Sequence, residues 1–469
     1  MASGQPAAAP LPSSQLAAVF ARLSAHLPDE ATLCGRAGDD DAWPPEGRWR
    51  DYLLSLPMDD VVACERSGLH RTRRVVEAAP EDLRRLCEAV SAASARLGRT
   101  DGECESDGTA PPCQGGGHSW RQSAEKSSQV SALLSSAASR LDLARVRRVV
   151  DVGCGKGHLI ARLRQQLGVP ALGLDVDAAL LDRARETYPE VETFEARDVL
   201  ADGLPCARGD LVVGLHPCGA LGESVIRALV RNHQVRSCAL LMVPCCWHKQ
   251  GTSAAVRAPL SQTARAAGLG LPLAALKKAS MALDASASVE TRRARQQLRA
   301  LLRARGALTP AELAERREMD GIHPKKALRG LRALADAALA RRGLAPPSDD
   351  ELRLAADAAD APFDRMRRLS LLEPTLGELI ELLATLDRAL ALEEAGGTRV
   401  AVFRAFAASA SDRNLCIVCT PEDGHEGRGQ QGQQVDDEAD QPATIASTDR
   451  LPPYSCRAPA RNRDTVAMR

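Results

Sequence analysis

Aromatic residues and lysine are both scarce in this sequence. Phe, Trp and Tyr make up only 3% of the 469 residues, which argues against ligand recognition by broad stacking surfaces. The 61 basic residues are matched by 61 acidic ones, so the formal net charge is zero and a globally basic nucleic-acid coat protein is excluded. Only seven of the basic residues are lysine, so a lysine inside a motif carries information.

Long apolar runs and disulfide-type cysteine spacings are also absent. No run reaches the roughly 18 residues that a membrane span needs, and no signal peptide is recognisable. The 14 cysteines follow neither a small-domain disulfide pattern nor the spacing of a standard zinc module. We therefore expect a soluble, cytoplasmic protein with no membrane partner and no bound metal, and a nuclear or organellar location is the alternative.

Composition divides the chain into seven segments. Residues 1–28 are rich in Ala, Pro and Ser and are predicted to be disordered, with a transit peptide as the alternative. Apolar residues at three- and four-residue spacing predict a helical N-terminal domain over 29–98, before a Gly-, Pro- and Ser-rich linker over 99–119. The remaining segments are an α/β domain over 120–250, a helical insertion over 251–396, two closing strands over 397–421 and a disordered tail over 422–469.

Strand and helix patterns alternate within the α/β domain. The strand patterns are RRVVDV, ALGLDVD, VETFEARDV, GDLVVGL and CALLMVPCC, and amphipathic helix patterns separate most of them. Such alternation predicts a doubly wound, Rossmann-like parallel sheet with helices on both faces. Two later strand patterns, TRVAVFRAFA and NLCIVCTP, predict an antiparallel hairpin that closes the sheet.

Charge is distributed unevenly along the helical insertion. Residues 257–345 contain 18 Arg and Lys against seven Asp and Glu, whereas residues 347–394 contain five against twelve. The basic half has enough charge to neutralise several phosphates of an RNA. Arginine at helical spacing is also typical of a solvated helix face, and the acidic half offers partners for it. Both interpretations stay open at the level of sequence.

A glycine-rich loop follows the first strand of the sheet. It spans Asp151–Gly157 with the spacing G-x-G-x-G, and its acidic residue stands two positions before the first glycine. Glycines are needed where a ligand lies against the backbone. A dinucleotide site would have G-x-G-x-x-G, whereas a carboxylate at this point suits a ligand with an ammonium group. S-adenosylmethionine is such a ligand, and the alternative is a tight structural turn.

The predicted cofactor residues lie at three successive strand ends. The loop contributes Asp151, Gly153, Gly155, Lys156 and Gly157. Asp175 ends the second strand, where a carboxylate can accept hydrogen bonds from both ribose hydroxyls, and Asp177 is the weaker choice. Asp198 follows the third strand and can reach the adenine amino group. The alternative for Asp175 is a helix cap.

Histidine, cysteine and lysine cluster at the ends of the fourth and fifth strands. The candidate catalytic residues are His216, Cys218, Cys245, Cys246, His248 and Lys249. Either histidine can act as general base towards a hydroxyl or amine. The thiols and imidazoles also suit zinc, and a third interpretation is a pocket that binds substrate without proton transfer. Two of the seven lysines, Lys156 and Lys249, fall inside the motifs, which indicates a need for a compact ammonium group.

Four motifs together resemble the Rossmann-type methyltransferase family of methyltransferase-like protein 25. They are EKSSQV at 125–130, DVGCGKGHL at 151–159, LHPCG at 215–219 and VPCCWHK at 243–249. The last two are also similar to motifs of the eukaryotic tRNA acceptor-stem 2′-O-methyltransferases. The resemblance implies cofactor contacts at the three loop glycines and Asp175, and a substrate pocket near His216, His248 and the three cysteines. The N-terminal region lacks the zinc-finger cysteines and histidines that those tRNA enzymes carry.

The sequence therefore predicts an S-adenosylmethionine-dependent methyltransferase. Its expected substrate is RNA, either tRNA or rRNA, bound through the Arg-rich half of the insertion. A protein substrate is one alternative. A non-catalytic assembly factor that binds the cofactor is the alternative from a different functional class.

Overall fold

The structure is a computed structural model that describes residues 10–35, 37, 43–97, 124–231, 236–249, 256–281, 289–309, 311–312, 317–408 and 410–422. Its strands are β1 (Leu11–Pro12), β2 (Arg148–Val152), β3 (Ala171–Asp175), β4 (Thr193–Ala196), β5 (Asp210–Cys218), β6 (Ala239–Cys245), β7 (Val256–Arg257), β8 (Leu271–Pro272), β9 (Thr398–Arg404) and β10 (Leu415–Pro421). The linker predicted over 99–119 and the tail predicted after residue 422 lie outside the described residues.

Helices account for most of the rest of the described chain. They are α1 (Ser13–Ser24), α2 (Glu30–Cys34), α3 (Arg48–Ser55), α4 (Met58–Ser67), α5 (Arg73–Ala78), α6 (Glu81–Arg96), α7 (Ala124–Arg140), α8 (His158–Leu167), α9 (Ala178–Thr187), α10 (Val199–Asp202), α11 (Ala220–Arg231), α12 (Gln262–Ala266), α13 (Leu273–Met281), α14 (Val289–Ala304), α15 (Gly330–Ala340), α16 (Asp349–Ser370) and α17 (Leu372–Glu394). Across the described ranges, none of them combines the length and the apolar composition that a membrane crossing needs.

Eight strands form one mixed sheet in the order β1-β9-β10-β6-β5-β2-β3-β4. β2 pairs in parallel with β3 and β5, β3 with β4, and β5 with β6. β10 is antiparallel to both β6 and β9. The prediction of a doubly wound sheet with an antiparallel closing hairpin, accompanied by helical parts, is therefore confirmed.

The parallel strands place their carboxyl ends along one edge of the sheet. β2, β5 and β6 are mostly buried runs of Val, Leu and similar residues, as strands covered by helices on both faces require. The chain runs outwards from β2 to β3 and β4, then returns to the other side of β2 for β5 and β6. This switch point beside β2 opens the crevice in which open α/β sheets bind their ligands.

The chain is folded from β1 onwards, although composition predicts disorder for residues 1–28. β1 pairs with β9 in antiparallel register, and α1 follows directly. α1 buries Leu16, Val19, Phe20 and Leu23, whose spacing of three and four residues puts them on one face of the helix. Burying each of these side chains contributes about 1.5–3 kcal/mol. The prediction of disorder is wrong for β1 and α1.

Helix α17 joins the N-terminal helices to the sheet. Of its 23 residues, 19 are buried, because α1, α6, α11, α13 and β9 all pack against it. One hydrophobic core runs through these helices and into the strands. A second, smaller core lies among α14, α15 and α16. The sequence assigns α17 to the helical insertion, yet its packing belongs to the sheet and the N-terminal helices.

Candidate active site

The glycine-rich loop between β2 and α8 has left-handed backbone at all three glycines. The angle φ is 74° at Gly153, 55° at Gly155 and 77° at Gly157, values that residues with a Cβ rarely adopt. The N–H groups of Gly153 and Cys154 both donate to the carbonyl of Leu174, at 2.8 and 3.0 Å, which ties the loop to the end of β3. No atom lies within 4 Å of the position that a Cβ would take at Gly155. A ligand can therefore lie against bare backbone there.

Gly157 has a different environment from Gly155. It is buried, and a Cβ at this position would lie 3.0 Å from the ring of Phe194 and 3.3 Å from Ala184. The glycine therefore allows α8 to pack closely on its neighbours. The cofactor contact predicted at Gly155 suits the open space above it, whereas the structure gives Gly157 a packing role.

The three predicted acidic residues after Gly157 have distinct hydrogen-bond partners. The Asp175 carboxylate accepts from the N–H of Gly155 at 2.9 Å and from the N–H of Asp177 at 3.0 Å, so it holds the loop and does not cap a helix. Asp177 caps α9 instead, and Asp198 caps the short α10 through the N–H of Leu200. Each oxygen of Asp175 keeps a lone pair for a further donor.

Asp151 is the most deeply buried acid of the loop, with 2% of its surface exposed. Burial raises the pKa of its carboxyl to about 7, and the nearby Lys126 ammonium opposes that rise. Within the described part of the chain, the Oδ2 atom of Asp151 is buried and has no hydrogen-bond partner. A buried carboxylate oxygen without a donor is costly, and an ammonium group of a ligand would satisfy it.

The ends of β5 and β6 bring three thiols together. The Sγ atoms of Cys218, Cys245 and Cys246 all lie within 4.8 Å of one another, and those of Cys218 and Cys245 are 3.4 Å apart. Hydrogen bonds from the other two thiols lower the pKa of Cys246. Cys246 has a left-handed backbone, with φ of 47°. Such a conformation is rare for a residue with a Cβ and is typical of functional sites.

His216 also adopts a left-handed backbone, with φ of 68°. Its Nε2 lies 3.2 Å from Oε1 of Gln129, and the amide nitrogen of Gln129 donates to the carbonyl of Ala410 at 2.7 Å. This orientation of the amide makes Nε2 the protonated nitrogen of His216 and leaves Nδ1 as the acceptor. In the described structure, Nδ1 is buried and has no hydrogen-bond partner. Burial, with a contribution from Lys126, lowers the pKa of His216 to about 4.

The remaining predicted residues are His248, Lys249 and Lys156. His248 is half-buried, and burial lowers its pKa. The Lys249 side chain is exposed, and its carbonyl accepts from the N–H of Ala220 at 2.7 Å, next to Gly219. Lys156 is exposed as well. The sequence predicts a compact ammonium group in the site. Neither Lys156 nor Lys249 provides one with a buried side chain.

Lys126, Gln129 and Arg413 belong to the site and are missing from the residues predicted by sequence. The Lys126 ammonium lies within electrostatic range of Asp151 and of the cysteine cluster, and burial lowers its pKa. Arg413 is within electrostatic range of Cys246. A signal for Lys126 existed, because it is one of only seven lysines and stands inside the EKSSQV motif. No local pattern marked Arg413, which lies in the connection between β9 and β10.

The loop fits S-adenosylmethionine on three counts. The unpartnered oxygen of Asp151 suits the ammonium group of the ligand, and Gly155 leaves open space beside the loop. Asp175 retains acceptor capacity at the end of β3. The left-handed glycines fix these three features relative to one another.

Comparison with solved structures finds similarity to several methyltransferases over about a quarter of this chain. A TehB-like SAM-dependent methyltransferase from Corynebacterium glutamicum is 24% identical and covers 24% of this chain and 60% of its own, with a TM-score of 0.20. DesVI from Streptomyces venezuelae is 17% identical and covers 25% and 50%, with a TM-score of 0.21. SAM-bound CalS10, an amino pentose methyltransferase from Micromonospora echinaspora, is 22% identical and covers 26% and 52%, with a TM-score of 0.21.

The chain thus spans about half to three-fifths of the length of these structures. No curated protein matches it. Residues 122–252 match the family model described as a methyltransferase domain. That range contains the glycine loop, Asp175 and the ends of β5 and β6. The sequence prediction of a methyltransferase domain is confirmed for residues 122–252, and the match supports S-adenosylmethionine as the cofactor.

Proposed function

We propose that this protein transfers a methyl group from S-adenosylmethionine to RNA, either tRNA or rRNA. The proposal rests on one observation. The open glycine loop and a buried histidine nitrogen without a hydrogen-bond partner lie at the same edge of the sheet. The cofactor, when bound, supplies an electrophilic methyl group. The motif resemblance to tRNA 2′-O-methyltransferases supports a ribose hydroxyl as the acceptor.

His216 is the proposed general base. Its Nδ1 accepts the proton of the attacking hydroxyl, while Gln129 holds the ring through Nε2. The rare backbone conformation of His216 aims the ring away from the direction that a regular strand would give. Burial, with a contribution from the ammonium of Lys126, lowers the pKa of His216, so the imidazole is neutral and can accept a proton.

The charge of the insertion supports RNA as the substrate, although part of that charge is used inside the protein. At least seven of the 18 basic residues over 257–345 form ion pairs: Arg257, Arg292, Arg293, Arg299, Arg305, Arg317 and Arg332. Others, such as Arg329 and Arg341, are exposed. Exposed arginines of this kind are the groups that neutralise phosphates.

The same ion pairs favour the second candidate, a protein substrate. Arg305 with Glu351 and Arg332 with Asp349 join the basic half of the insertion to its acidic half. If most of the basic charge is neutralised in this way, the insertion offers a mixed surface that suits a protein partner. The same mixed surface suits the assembly-factor alternative, in which the cofactor binds and no methyl group is transferred.

The first experiment is isothermal titration of the purified protein with S-adenosylmethionine and S-adenosylhomocysteine. We expect micromolar binding that Asp175→Ala weakens, because the variant loses the acceptor that also fixes Gly155. Absence of binding by either ligand would contradict the cofactor assignment. The second experiment offers labelled S-adenosylmethionine with total RNA or with protein extract.

Label in RNA supports the proposal, and label in protein alone supports the alternative substrate. His216→Ala should lower the transfer rate by about 10²–10⁴-fold and leave cofactor affinity unchanged. If wild type and variant both bind the cofactor but transfer no label to RNA or to protein, the result favours the assembly factor.

A further inference from the structure

We propose that Cys218, Cys245 and Cys246 form a zinc-binding site at the ends of β5 and β6. The sequence predicts no metal, because these cysteines have no standard zinc-module spacing. That prediction considered spacing along the chain, whereas the fold brings together thiols that are 27 residues apart. The site lies at the same sheet edge as the glycine loop.

The distances between the sulfur atoms match those of a metal site. All three lie within 4.8 Å of one another, and the closest pair is 3.4 Å apart. Zinc–sulfur bonds of about 2.3 Å in tetrahedral geometry place neighbouring sulfurs roughly 3.8 Å apart. Small side-chain rotations therefore convert the cluster into three ligands of one ion.

Two irregularities of the backbone create the cluster. Successive side chains of a strand point to opposite faces, so adjacent cysteines in a regular strand cannot approach the same ion. The left-handed conformation of Cys246 turns its thiol back towards that of Cys245. On the neighbouring strand, a register shift between Leu215 and Cys218 brings Cys218 opposite Cys245.

The chemistry of the donor set selects a soft or borderline cation. Thiolates prefer Zn²⁺ among the abundant divalent ions, and Ca²⁺ and Mg²⁺ require oxygen ligands. The three cysteines bind Zn²⁺ as thiolates, any remaining thiol protons pass to solvent, and the centre carries one net negative charge. Lys126 and Arg413 lie within electrostatic range of the cysteines and compensate that charge.

Three protein ligands leave one position of a tetrahedral ion open. In the described ranges, no fourth His, Cys, Asp or Glu ligand atom joins the three thiols within 4.8 Å of them all. Structural zinc sites use four protein ligands, whereas catalytic sites use three and keep a position for water or substrate. We therefore assign the fourth position to an exchangeable water molecule.

The test measures zinc directly and does not depend on cofactor or substrate. Full-length protein is purified under anaerobic conditions with a phosphine reductant, stripped with a chelator, and titrated with Zn²⁺ against a chromophoric competitor. We expect the wild type to bind one zinc ion more than the Cys218→Ser/Cys245→Ser/Cys246→Ser variant. Substitution with Co²⁺ should give a thiolate-to-cobalt charge-transfer band in the wild type that this variant lacks.

Cys34→Ser is the matched control, because Cys34 is a half-buried cysteine of the N-terminal helices, outside the cluster. It should retain the zinc ion and the cobalt band. If the triple variant does not fold, Cys246→Ser alone should weaken zinc binding by more than the roughly 10–100-fold that loss of an outer-shell partner costs. Equal zinc binding by wild type and Cys246→Ser would overturn the proposal, as would a Cys218–Cys245 disulfide in the freshly isolated protein.

Discussion

The carboxyl group of Asp151 couples cofactor binding to pH. Burial raises its pKa to about 7 in the free protein, and a bound ammonium group favours the ionised form. Cofactor affinity should therefore fall as the pH decreases below 7, by up to about tenfold per pH unit. The measurement is the dissociation constant of S-adenosylmethionine between pH 5.5 and 7.5.

Asp151→Asn supplies the comparison, because any titration of the ligand itself affects both proteins equally. The variant should bind weakly with an affinity that varies little over this range. Asp177→Asn, which changes a helix cap, should keep the wild-type profile. Identical pH profiles for the wild type and Asp151→Asn would show that Asp151 does not bind the ammonium group.

Gly155 and Gly157 should respond differently to the same substitution. Both need a left-handed backbone, so alanine costs each of them about 1–2 kcal/mol in strain. At Gly155 the added methyl group enters the open space beside the loop, and we expect the loss of cofactor affinity to exceed the loss of stability. At Gly157 it meets the ring of Phe194, and we expect a larger fall in melting temperature. Titration calorimetry and thermal unfolding distinguish the two outcomes, and equal effects on affinity would contradict the packing role of Gly157.

At the residue scale, the sequence predicts which residues form the site better than it predicts how their side chains are oriented. Spacing and strand ends locate the glycine loop, Asp151 and Asp175. The left-handed backbone at His216 and Cys246 has no local signature, because neither position holds glycine or asparagine. The grouping of the thiols and the hydrogen bond from Gln129 depend on these conformations and on distant segments, so the sequence does not show them.

At the scale of secondary-structure elements, Glu378 of α17 connects three parts of the fold. Its carboxylate accepts from Ser94 of α6 at 2.6 Å and from Arg404 of β9 at 2.9 Å, and it pairs with His70 at 3.0 Å. The hydrogen bond and charge of His70, with nearby arginines, hold the pKa of Glu378 well below its usual range despite burial. The network therefore stabilises the folded state when Glu378 is ionised.

Glu378→Gln should destabilise the protein by about 3 kcal/mol at neutral pH, because it leaves buried cationic partners without a counter-charge. A depressed carboxyl pKa stabilises the fold above the unfolded-state value of about 4.3, and this contribution is lost as the pH falls below it. The difference between wild type and variant in urea unfolding should thus stay nearly constant from pH 7 to about pH 5 and shrink as the pH falls below about 4.3. Glu77→Gln, at an exposed helical pair, is the control and should change nothing measurable.

The sequence predictions for α1 and α17 differ from the structure for the same reason. The four buried residues of α1 follow a regular helical spacing, but the surrounding Ala, Pro and Ser composition outweighed it in the prediction. In α17, apolar residues occupy most positions and are not confined to one face, a pattern that indicates extensive burial. The sequence interpretation grouped α17 with the Arg- and Ala-rich helices before it. Composition averages the residue types over a whole segment, whereas packing depends on which individual positions are apolar.

At the scale of the whole molecule, the N-terminal helices and the sheet share one hydrophobic core. The alternation of strands and helices was predictable because each element carries its own periodicity. The packing of α6 and α17 against each other joins segments almost 300 residues apart, and no local pattern encodes such a contact. The described N-terminal helices therefore pack against the methyltransferase domain and stabilise it.

RNA binding by the insertion should depend strongly on salt if the proposed substrate is correct. Each phosphate contact contributes about 0.7–0.9 to the slope of log affinity against log salt. Arg329→Glu/Arg341→Glu replaces two exposed positive charges of the insertion with negative ones, so the slope should fall by at least the contribution of two phosphate contacts. Filter binding of tRNA and rRNA between 50 and 200 mM salt measures this.

Arg22→Glu/Arg66→Glu makes the same change in net charge on exposed positions of α1 and α4, so it separates a local contact from a general charge effect. This control should bind RNA with the wild-type slope. If both double variants lose the same affinity, RNA responds to the net charge of the protein and the insertion has no specific role. If the wild type itself shows no salt-dependent affinity, the ion pairs between the two halves of the insertion have neutralised its basic charge, and a protein substrate becomes the better proposal.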